Sequence, residues 1–302
     1  VAVPDVNELV PLRDDQDALK TQSIEGEIMK ISPEWLHIIV RQERGERFES
    51  SPRNFSLLII NKIRHLSIAW VTILLYSVFI QYQPVRISIK STHIYQEIGM
   101  KLRHFIDTQD FSKGELLDII ELTRKIKAAD RQGCTPKLLE GASLAMIFEE
   151  PSTRTRVSFE VAMSELGGHA LYLKPGEIHL GVRESMYDTA KVLSRMCDAI
   201  EARTLKHSTI TELARHADVP VINGLTDYNH PTQVVCDVLT MMEHMPAGKQ
   251  MEDLKVIFIG DATNVLSSLM LICTRLGMHF TQAAPGKYQA PGEWVRWAEE
   301  NC

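Results

Sequence analysis

Short apolar runs alternate with amphipathic segments from Leu144 to Gly277, and this alternation limits the folds that the chain can adopt. Runs such as Leu144–Phe148 and Ala199–Ala202 have the length of buried strands, and Ser185–Met196 has the apolar spacing of a helix. Strands separated by helices pair in parallel, because each connection has to return to the starting edge of the sheet. The sequence therefore predicts an α/β fold with a parallel sheet flanked by helices.

The same pattern sets bounds for individual elements. A capping box at Ser112-Lys113-Gly114-Glu115 begins a helix whose apolar face includes Leu116 and Ile119. A second helix is expected to end at Gly167-Gly168, and a later one to begin at Pro231. The other predicted strands are Ala170–Leu173, Val219–Ile222 and Lys255–Gly260, and the other predicted helices are Ser208–Ala217 and Asn264–Gly277.

Composition and charge narrow the class of protein. The chain is 44% hydrophobic and 24% charged, which is ordinary for a globular protein with a sizeable core. Its net charge is −6, so we expect no nucleic acid partner, although a local pocket can still bind a small anion. The five cysteines are odd in number and widely spaced, which predicts neither disulfides nor a metal site but thiols in a reducing cytoplasm.

Residues 1–99 lack the alternation of strand and helix patterns that is seen from Leu144 onward. Residues 1–64 show no sustained helical or strand period, and residues 65–85 contain no Asp, Glu, Lys or Arg. That uncharged stretch has the length of a membrane span, but its polar and β-branched residues suit a buried strand pair equally well. We expect no membrane span here. Residues 1–99 are interpreted as an atypical N-terminal extension, and whether they are native to the fold stays open.

Polar side chains collect where the predicted strands end, which is where parallel α/β sheets bind ligands. Ser152-Thr153-Arg154-Thr155-Arg156 follows the first strand at a helix start, a place that favours an anion. Arg203 lies one residue past the strand Ala199–Ala202. The alternative interpretation of residues 152–156 is that Ser152 caps the helix and the arginines are solvated. The alternative interpretation of Arg203 is that it is a surface charge.

His230-Pro231-Thr232-Gln233 follows the next strand, so that His230 would cap a helix and Gln233 would lie in its first turn. Together with Arg203 and the hydroxyl-rich loop, these donors predict a pocket for a phosphate attached to a carbonyl. The turn Gly260-Asp261-Ala262-Thr263-Asn264 lacks the G-x-G-x-x-G spacing, so we expect no dinucleotide and no other cofactor.

Residues 152–156, Arg203 and His230-Pro231-Thr232-Gln233, in this order and spacing, resemble the ornithine/putrescine branch of the carbamoyltransferases. The resemblance covers about residues 100–302. It implies transfer of a carbamoyl group from carbamoyl phosphate to a primary amine. It also implies that Ser152, Thr153, Arg154 and Thr155 hold the phosphate, that Arg203 bridges phosphate and carbonyl, and that His230 and Gln233 bind the carbamoyl end.

The resemblance further implies a domain division and an assembly. Residues 100–248 would form the carbamoyl-phosphate-binding domain, and residues 249–302 the start of a second, Rossmann-like α/β domain for the amine. In the family that domain continues into a His-Cys-Leu-Pro loop, which does not occur in this sequence, so we expect this chain alone to be incomplete. The family is generally trimeric, so we expect a homotrimer, and we expect it in the cytoplasm. His179 occupies the place of a Gln that reaches a neighbouring subunit in the family.

The amine substrate stays open between ornithine and putrescine. Asn264 matches the position at which ornithine enzymes contact the amino acid, whereas residues 172–181 and 227–230 look more like the putrescine branch. Two other classes also stay open: a non-catalytic module that binds carbamoyl phosphate, and a membrane-tethered protein that uses residues 65–85.

Overall fold

The computed structural model describes residues 37–41, 102–176 and 184–302, and these residues divide into two compact units. The described part of the larger unit lies within Arg47–Thr240 and Thr263–Ile272, and that of the smaller unit within Val1–Glu46, Met241–Ala262 and Cys273–Cys302. The uncharged stretch of residues 65–85 and His179 lie outside the described residues.

The larger unit contains a parallel four-stranded sheet, as the alternating pattern predicts. Its strands are β2 (Ser143–Phe148), β3 (His169–Leu173), β4 (Ala199–Arg203) and β5 (Val221–Leu225), in the order β3-β2-β4-β5. The helices described in the two units, in chain order, are α1 (Lys113–Arg131), α2 (Thr153–Glu165), α3 (Met186–Met196), α4 (His207–His216), α5 (Pro231–Glu243), α6 (Asn264–Leu276) and α7 (Gly292–Asn301), of which α7 belongs to the smaller unit.

Both faces of this sheet are buried, as expected for parallel strands that have helices on either side. On one face, a cluster joins β2 and β4 to α3 and α4 and includes Ala145, Ile147, Ala190, Ile200, Ala202 and Leu213. The alternate positions of β2, Leu144 and Met146, point the other way and are also fully buried. The two-sided core fixes the strand ends, and therefore the edge at which the polar loops lie.

Helix ends confirm two of the local predictions. Ser112 accepts from the backbone N–H of Glu115, and the Glu115 side chain accepts from the N–H of Ser112, so the capping box at the start of α1 is formed. Gly167 follows the end of α2 with a φ of +89°, a left-handed conformation that costs little only for glycine. Local sequence chemistry is sufficient to set these two boundaries.

Three predicted boundaries in the larger unit are shifted. The strand predicted over 219–222 begins at Val221 and extends to Leu225, because Pro220 has no N–H for the ladder and pairing continues across a bulge. Strand β4 includes Arg203, whose carbonyl accepts from the N–H of Glu149. Helix α4 begins one residue early, because Asp227 accepts from the N–H of His207 at 2.8 Å.

The smaller unit contains a parallel sheet in the order β1-β6-β7. Its strands are β1 (His37–Arg41), β6 (Lys255–Ile259) and β7 (His279–Ala283). The sequence pattern did not predict β1, since five residues in a segment without a sustained period carry little signal. The structure also contains β7 and then α7 after α6, and the sequence pattern set no bounds for either element.

Three further properties of the described residues bear on function. None of their helices combines the length and the apolar character needed to cross a membrane. Within residues 102–176 and 184–302, no group of three or more His, Cys, Asp or Glu side chains is arranged to hold a metal ion. No disulfide joins any of the five cysteines, which all lie within the described residues, and Cys197, Cys236 and Cys273 are buried.

Candidate functional site

The hydroxyl-rich loop forms the start of α2. Ser152 is the N-cap residue with extended backbone angles, but its side chain makes no capping hydrogen bond. Capping therefore does not explain this serine. The first N–H groups of a helix lack intrahelical acceptors, and the helix dipole favours negative charge beside them. Thr153 and Arg154 are exposed and Thr155 is buried, so the loop offers hydroxyl, backbone and guanidinium donors at one place.

Arg203 is directed toward this loop. It is the last residue of β4, and it pairs in register with Phe148, the last residue of β2. Its Nη1 donates to Thr155 Oγ1 at 3.3 Å, and its side chain is half-buried, so it is not a solvated surface charge. Arg156 differs, because its Nε donates to Glu160 and its guanidinium lies 3.8 Å from the centre of the Tyr172 ring.

His230 is a buried, neutral imidazole immediately before α5. Burial, and secondarily the positive charge of Arg203, lowers the pKa of His230 to about 3. Its backbone N–H donates to Ser268 Oγ at 2.7 Å, and its Nδ1 lies 3.1 Å from Thr232 Oγ1. A neutral imidazole can donate one hydrogen bond without bringing a second positive charge next to Arg203.

Gln233 lies in the first turn of α5, as predicted, but its amide already has a partner. Its Nε2 donates to Asp237 Oδ1 at 2.9 Å, one turn further along the helix. Burial raises the pKa of Asp237 to about 6, and the hydrogen bond from Gln233 partly offsets that rise. The contact fixes the orientation of the Gln233 amide relative to α5.

The end of β5 is irregular where it meets the site. The pairing shifts between Ala202 and Arg203, so that Gly224 is the extra residue of a bulge, and Leu225 has a φ of 155°. Bulges of this kind redirect the side chains that follow them. The carbonyl of Thr226, in the loop beyond the bulge, accepts from Asn264 Nδ2 at 2.7 Å.

A cavity of about 190 Å³ opens at this end of the sheet. Of the predicted site residues, Arg203 and Asn264 line the cavity, whereas Ser152, Thr153, Arg154, Thr155, His230 and Gln233 do not. Its lining consists of Glu150, Arg203, Thr204, Leu205, Leu225, Thr226, Asp227 and Asn264. The structure therefore places Arg203 between the hydroxyl-rich loop on one side and the cavity on the other.

Two buried polar residues near the site were missed by the sequence reasoning. Glu201, two residues before Arg203, is fully buried, and neither carboxyl oxygen has a hydrogen-bond partner among the described residues. Burial raises the pKa of Glu201 well above its ordinary value. The only sequence signal was an acidic residue inside an apolar strand. Asn229, which lies within the stretch 227–230, is also fully buried, and nothing in the sequence pattern pointed to a role for it.

Comparison with known proteins defines the class to which this fold and site belong. Residues 103–243 match the domain described as aspartate/ornithine carbamoyltransferase, carbamoyl-P binding domain, and residues 252–302 match the Asp/Orn binding domain of the same family. The chain belongs to the aspartate/ornithine carbamoyltransferase family, which confirms the resemblance seen in the sequence motifs.

The individual relatives are named as putrescine or ornithine enzymes. A putrescine carbamoyltransferase from Mycoplasma capricolum subsp. capricolum is 63% identical over 67% of this chain and 57% of its own length. The structure of ornithine carbamoyltransferase from Pyrococcus furiosus matches with a TM-score of 0.63 and 45% identity, over 66% of this chain and 63% of that one. The structure of ornithine carbamoyltransferase from Burkholderia thailandensis matches with a TM-score of 0.61 and 34% identity, over 66% of this chain and 68% of that one. The chain thus spans somewhat more than half the length of these relatives.

Proposed function

We propose that this protein transfers the carbamoyl group of carbamoyl phosphate to a primary amine of putrescine or ornithine, releasing phosphate. The products would be N-carbamoylputrescine or citrulline. The observation that carries the proposal is the contact between Arg203 and Thr155, which joins the end of β4 to the anion-favouring start of α2. The names of the relatives support the same chemistry, and they favour a transferase over a module that only binds.

In this proposal the phosphate of the substrate lies at the start of α2. Ser152, Thr153, Arg154 and Thr155 would hold it with hydroxyl, guanidinium and backbone N–H donors. Arginine is suited to this role, because its planar fork matches phosphate oxygens. The hydroxyl of Thr155 serves two purposes here: it accepts from Arg203, and its own hydrogen remains to be donated to a phosphate oxygen.

The carbamoyl end of the substrate would lie between Arg203 and His230. Attack of the amine on the carbamoyl carbon moves negative charge onto the carbonyl oxygen, and donors already in place stabilise that charge. The C–N bond forms first, and the C–O bond to phosphate breaks when the negative charge returns from the oxygen. The leaving phosphate takes up the proton that the amine nitrogen loses. Because His230 is neutral, it is suited to donate to the oxygen. Gln233, oriented by Asp237, would bind the carbamoyl amide group.

The amine is the finer part of the proposal, and we propose putrescine as the first candidate. The support is the 63% identity to a putrescine carbamoyltransferase, against 45% and 34% for the ornithine enzymes compared here. Asn264 would contact the amine, and its Nδ2 is already held by the carbonyl of Thr226. That hydrogen bond turns the amide oxygen away from Thr226, and an oxygen acceptor suits an ammonium group.

Organisation beyond the single chain is proposed on the family resemblance alone. We propose residues 100–248 as the carbamoyl-phosphate-binding domain and 249–302 as part of the amine domain, with the protein working as a cytoplasmic homotrimer. Light scattering of the purified chain tests the assembly, and a mass of three chains is the expected result. A monomer at concentrations that support full activity would contradict it.

A transfer assay tests the function. The purified 302-residue chain is incubated with carbamoyl phosphate and either putrescine or ornithine, and the ureido product is measured by mass spectrometry. We expect only slow turnover by this chain, because it lacks the His-Cys-Leu-Pro loop, with N-carbamoylputrescine forming faster than citrulline and phosphate appearing in equal amount. Product from ornithine alone would contradict the choice of amine. Saturable binding of carbamoyl phosphate without product would contradict transfer and support a module that only binds.

A further inference from the structure

We propose that Asn229 is a positioning residue for His230: its buried carboxamide fixes the loop that presents the imidazole to the carbamoyl end of the substrate. The inference rests on the proposed function, because it concerns the same site. It assigns a role to a residue that does not itself line the cavity and that contacts the cavity lining only through Thr226.

The carboxamide of Asn229 forms four hydrogen bonds while fully buried. Its Oδ1 accepts from Asn223 Nδ2 at 2.6 Å and from Thr226 Oγ1 at 3.0 Å. Its Nδ2 donates to the carbonyl of Ile106 at 3.1 Å and to Asp107 Oδ2 at 2.9 Å. A primary amide has two donor hydrogens and two acceptor lone pairs, so the bonding capacity of Asn229 is fully used.

These four partners lie on three separate segments. Asn223 is within β5, Thr226 is in the loop after the bulge, and Ile106 and Asp107 belong to the segment that precedes α1. The carbonyl of Asn229 also accepts from the N–H of Thr226 at 2.9 Å, which closes the loop on itself. Asn229 therefore attaches the loop both to the sheet and to the segment before α1.

His230 is the next residue, so the hydrogen bonds of Asn229 also fix the position of the His230 backbone. Its N–H donates to Ser268 Oγ, and its carbonyl accepts from the N–H of Gln233 at 3.2 Å. The main chain is thus held on both sides of the Cα from which the imidazole extends. A saturated network in a buried setting has a single low-energy arrangement, because any rotation of the amide leaves several buried groups without partners.

Only an amide satisfies this environment. Aspartate at position 229 could not donate to Ile106 and would place a second carboxylate beside Asp107. An aliphatic side chain would remove one of the two donors to the carbonyl of Ile106 and the acceptor that Asn229 offers to Asn223 Nδ2. Only the hydrogen bond from Asn223 Nδ2 to the Ile106 carbonyl, at 2.9 Å, would remain between these two groups. Because the phosphate donors belong to the start of α2, loss of the carboxamide is expected to affect the carbamoyl end of the substrate and not the phosphate end.

Two affinities measured on the same protein separate positioning from general structure. We would titrate the full chain, and its Asn229→Ala variant, with carbamoyl phosphate and with inorganic phosphate. We expect Asn229→Ala to weaken carbamoyl phosphate binding by about tenfold, as for one lost hydrogen bond to the ligand, and to leave phosphate binding within about twofold. His230→Ala gives the reference for complete loss of the imidazole.

Tyr228→Phe is the matched control, because it removes the hydrogen bond that Gln109 Nε2 donates to this loop and retains the ring that lies edge-to-face against His207. Both affinities should be unchanged in this variant. If Asn229→Ala does not fold, Asn229→Ser replaces it, since the smaller hydroxyl can still accept from Thr226.

The outcomes are distinguishable. A loss confined to carbamoyl phosphate supports the inference. Equal losses for both ligands, or no loss for either, would overturn it while leaving the proposed function in place. A wild-type chain that does not bind carbamoyl phosphate more tightly than phosphate would overturn the proposed function as well.

Discussion

The Nη1 atom of Arg203 lies 3.3 Å from Thr155 Oγ1, across the gap between the end of β4 and the first turn of α2. Arg203 pairs with Phe148 in the adjacent strand, and its carbonyl accepts from the N–H of Glu149. Backbone pairing therefore sets the position of the guanidinium, and the hydrogen bond sets its direction. A strand and a helix start that are 48 residues apart in sequence thus form one anion-binding site.

Removal of the Arg203 guanidinium should affect the chemical step. We expect Arg203→Met to lower carbamoyl transfer by about 10²–10³, the usual cost of losing one donor to a developing oxyanion. Arg203→Lys should recover only part of the rate, because an ammonium lacks the planar fork. Steady-state kinetics check this. Arg124→Met, at an exposed arginine paired with Glu121 on α1, is the control, and equal losses in both variants would contradict the assignment.

The hydroxyl of Thr232 is expected to select the tautomer of His230. If this O–H donates to Nδ1, the proton of the neutral ring lies on Nε2, which can then donate to the substrate. Thr232→Val keeps the shape and removes the hydroxyl, so transfer should fall by about tenfold, whereas Thr232→Ser should retain most of it. The ¹⁵N shifts of the ring nitrogens report the tautomer. A wild-type ring protonated at Nδ1 would refute the expectation.

Carbamoyl transfer should become faster toward alkaline pH. The attacking amine must be deprotonated, and with an amine pKa of about 10 the reactive fraction rises almost tenfold per pH unit between about pH 6 and pH 9. His230, with a pKa of about 3, stays neutral throughout and adds no second limb to the profile. The measurement is kcat/KM for the amine against pH. A flat profile over this range would count against the account.

Gly224 and Glu201 should be coupled sterically. A Cβ on Gly224 would lie 1.7 Å from Glu201 Oε1, so the buried Glu201 side chain would have to move to make room for any other residue at position 224. We expect Gly224→Ala to lower the free energy of unfolding by about 1–3 kcal/mol, as overpacking does. Glu201→Ala in the same chain should cancel most of that loss. Additive effects in the double-mutant cycle would show that the two positions do not interact.

Glu201 should make the stability of the protein depend on pH. Its pKa is raised by burial, so the folded state keeps the carboxyl protonated where the unfolded chain ionises. The contribution of Glu201 to stability is therefore complete below about pH 4.5 and is lost as the pH rises toward the folded-state pKa. The Glu201→Gln side chain cannot ionise, so this variant does not lose that contribution to stability as the pH rises.

Thermal unfolding from about pH 4.5 to pH 8 tests this expectation. The Tm advantage of Glu201→Gln over wild type should grow with pH, and Glu212→Gln on the exposed side of α4 should show no such trend. A constant difference between Glu201→Gln and wild type would mean that Glu201 is ionised in the folded protein.

Local chemistry and periodicity were sufficient for much of the fold. The capping box at Ser112 and the left-handed Gly167 depend on neighbours within a few residues, so the sequence predicts them well. Boundaries that depend on distant partners were shifted: α4 begins at His207 because Asp227, twenty residues later, accepts from its N–H. No pattern within α4 itself contains that information.

The candidate site divides in the same way. Arg203, His230 and Gln233 could be found because each follows a predicted strand, and parallel strands end at one edge of the sheet. The roles of Glu201 and Asn229 could not be predicted from the sequence. The burial of Glu201, and the hydrogen bonds of Asn229 to three separate segments, become visible only in the folded chain. The bulge at Gly224 also had no signal, since it depends on the pairing between β4 and β5.

A displacement titration tests the central claim most directly. The purified chain is titrated with carbamoyl phosphate in a calorimeter, alone and in the presence of inorganic phosphate, and the titration is repeated with Arg203→Met. We predict saturable binding of one carbamoyl phosphate per chain, competition by phosphate, and strongly weakened binding in the variant. Absence of saturable binding, or binding that Arg203→Met leaves unchanged, would contradict the placement of carbamoyl phosphate at this edge of the sheet.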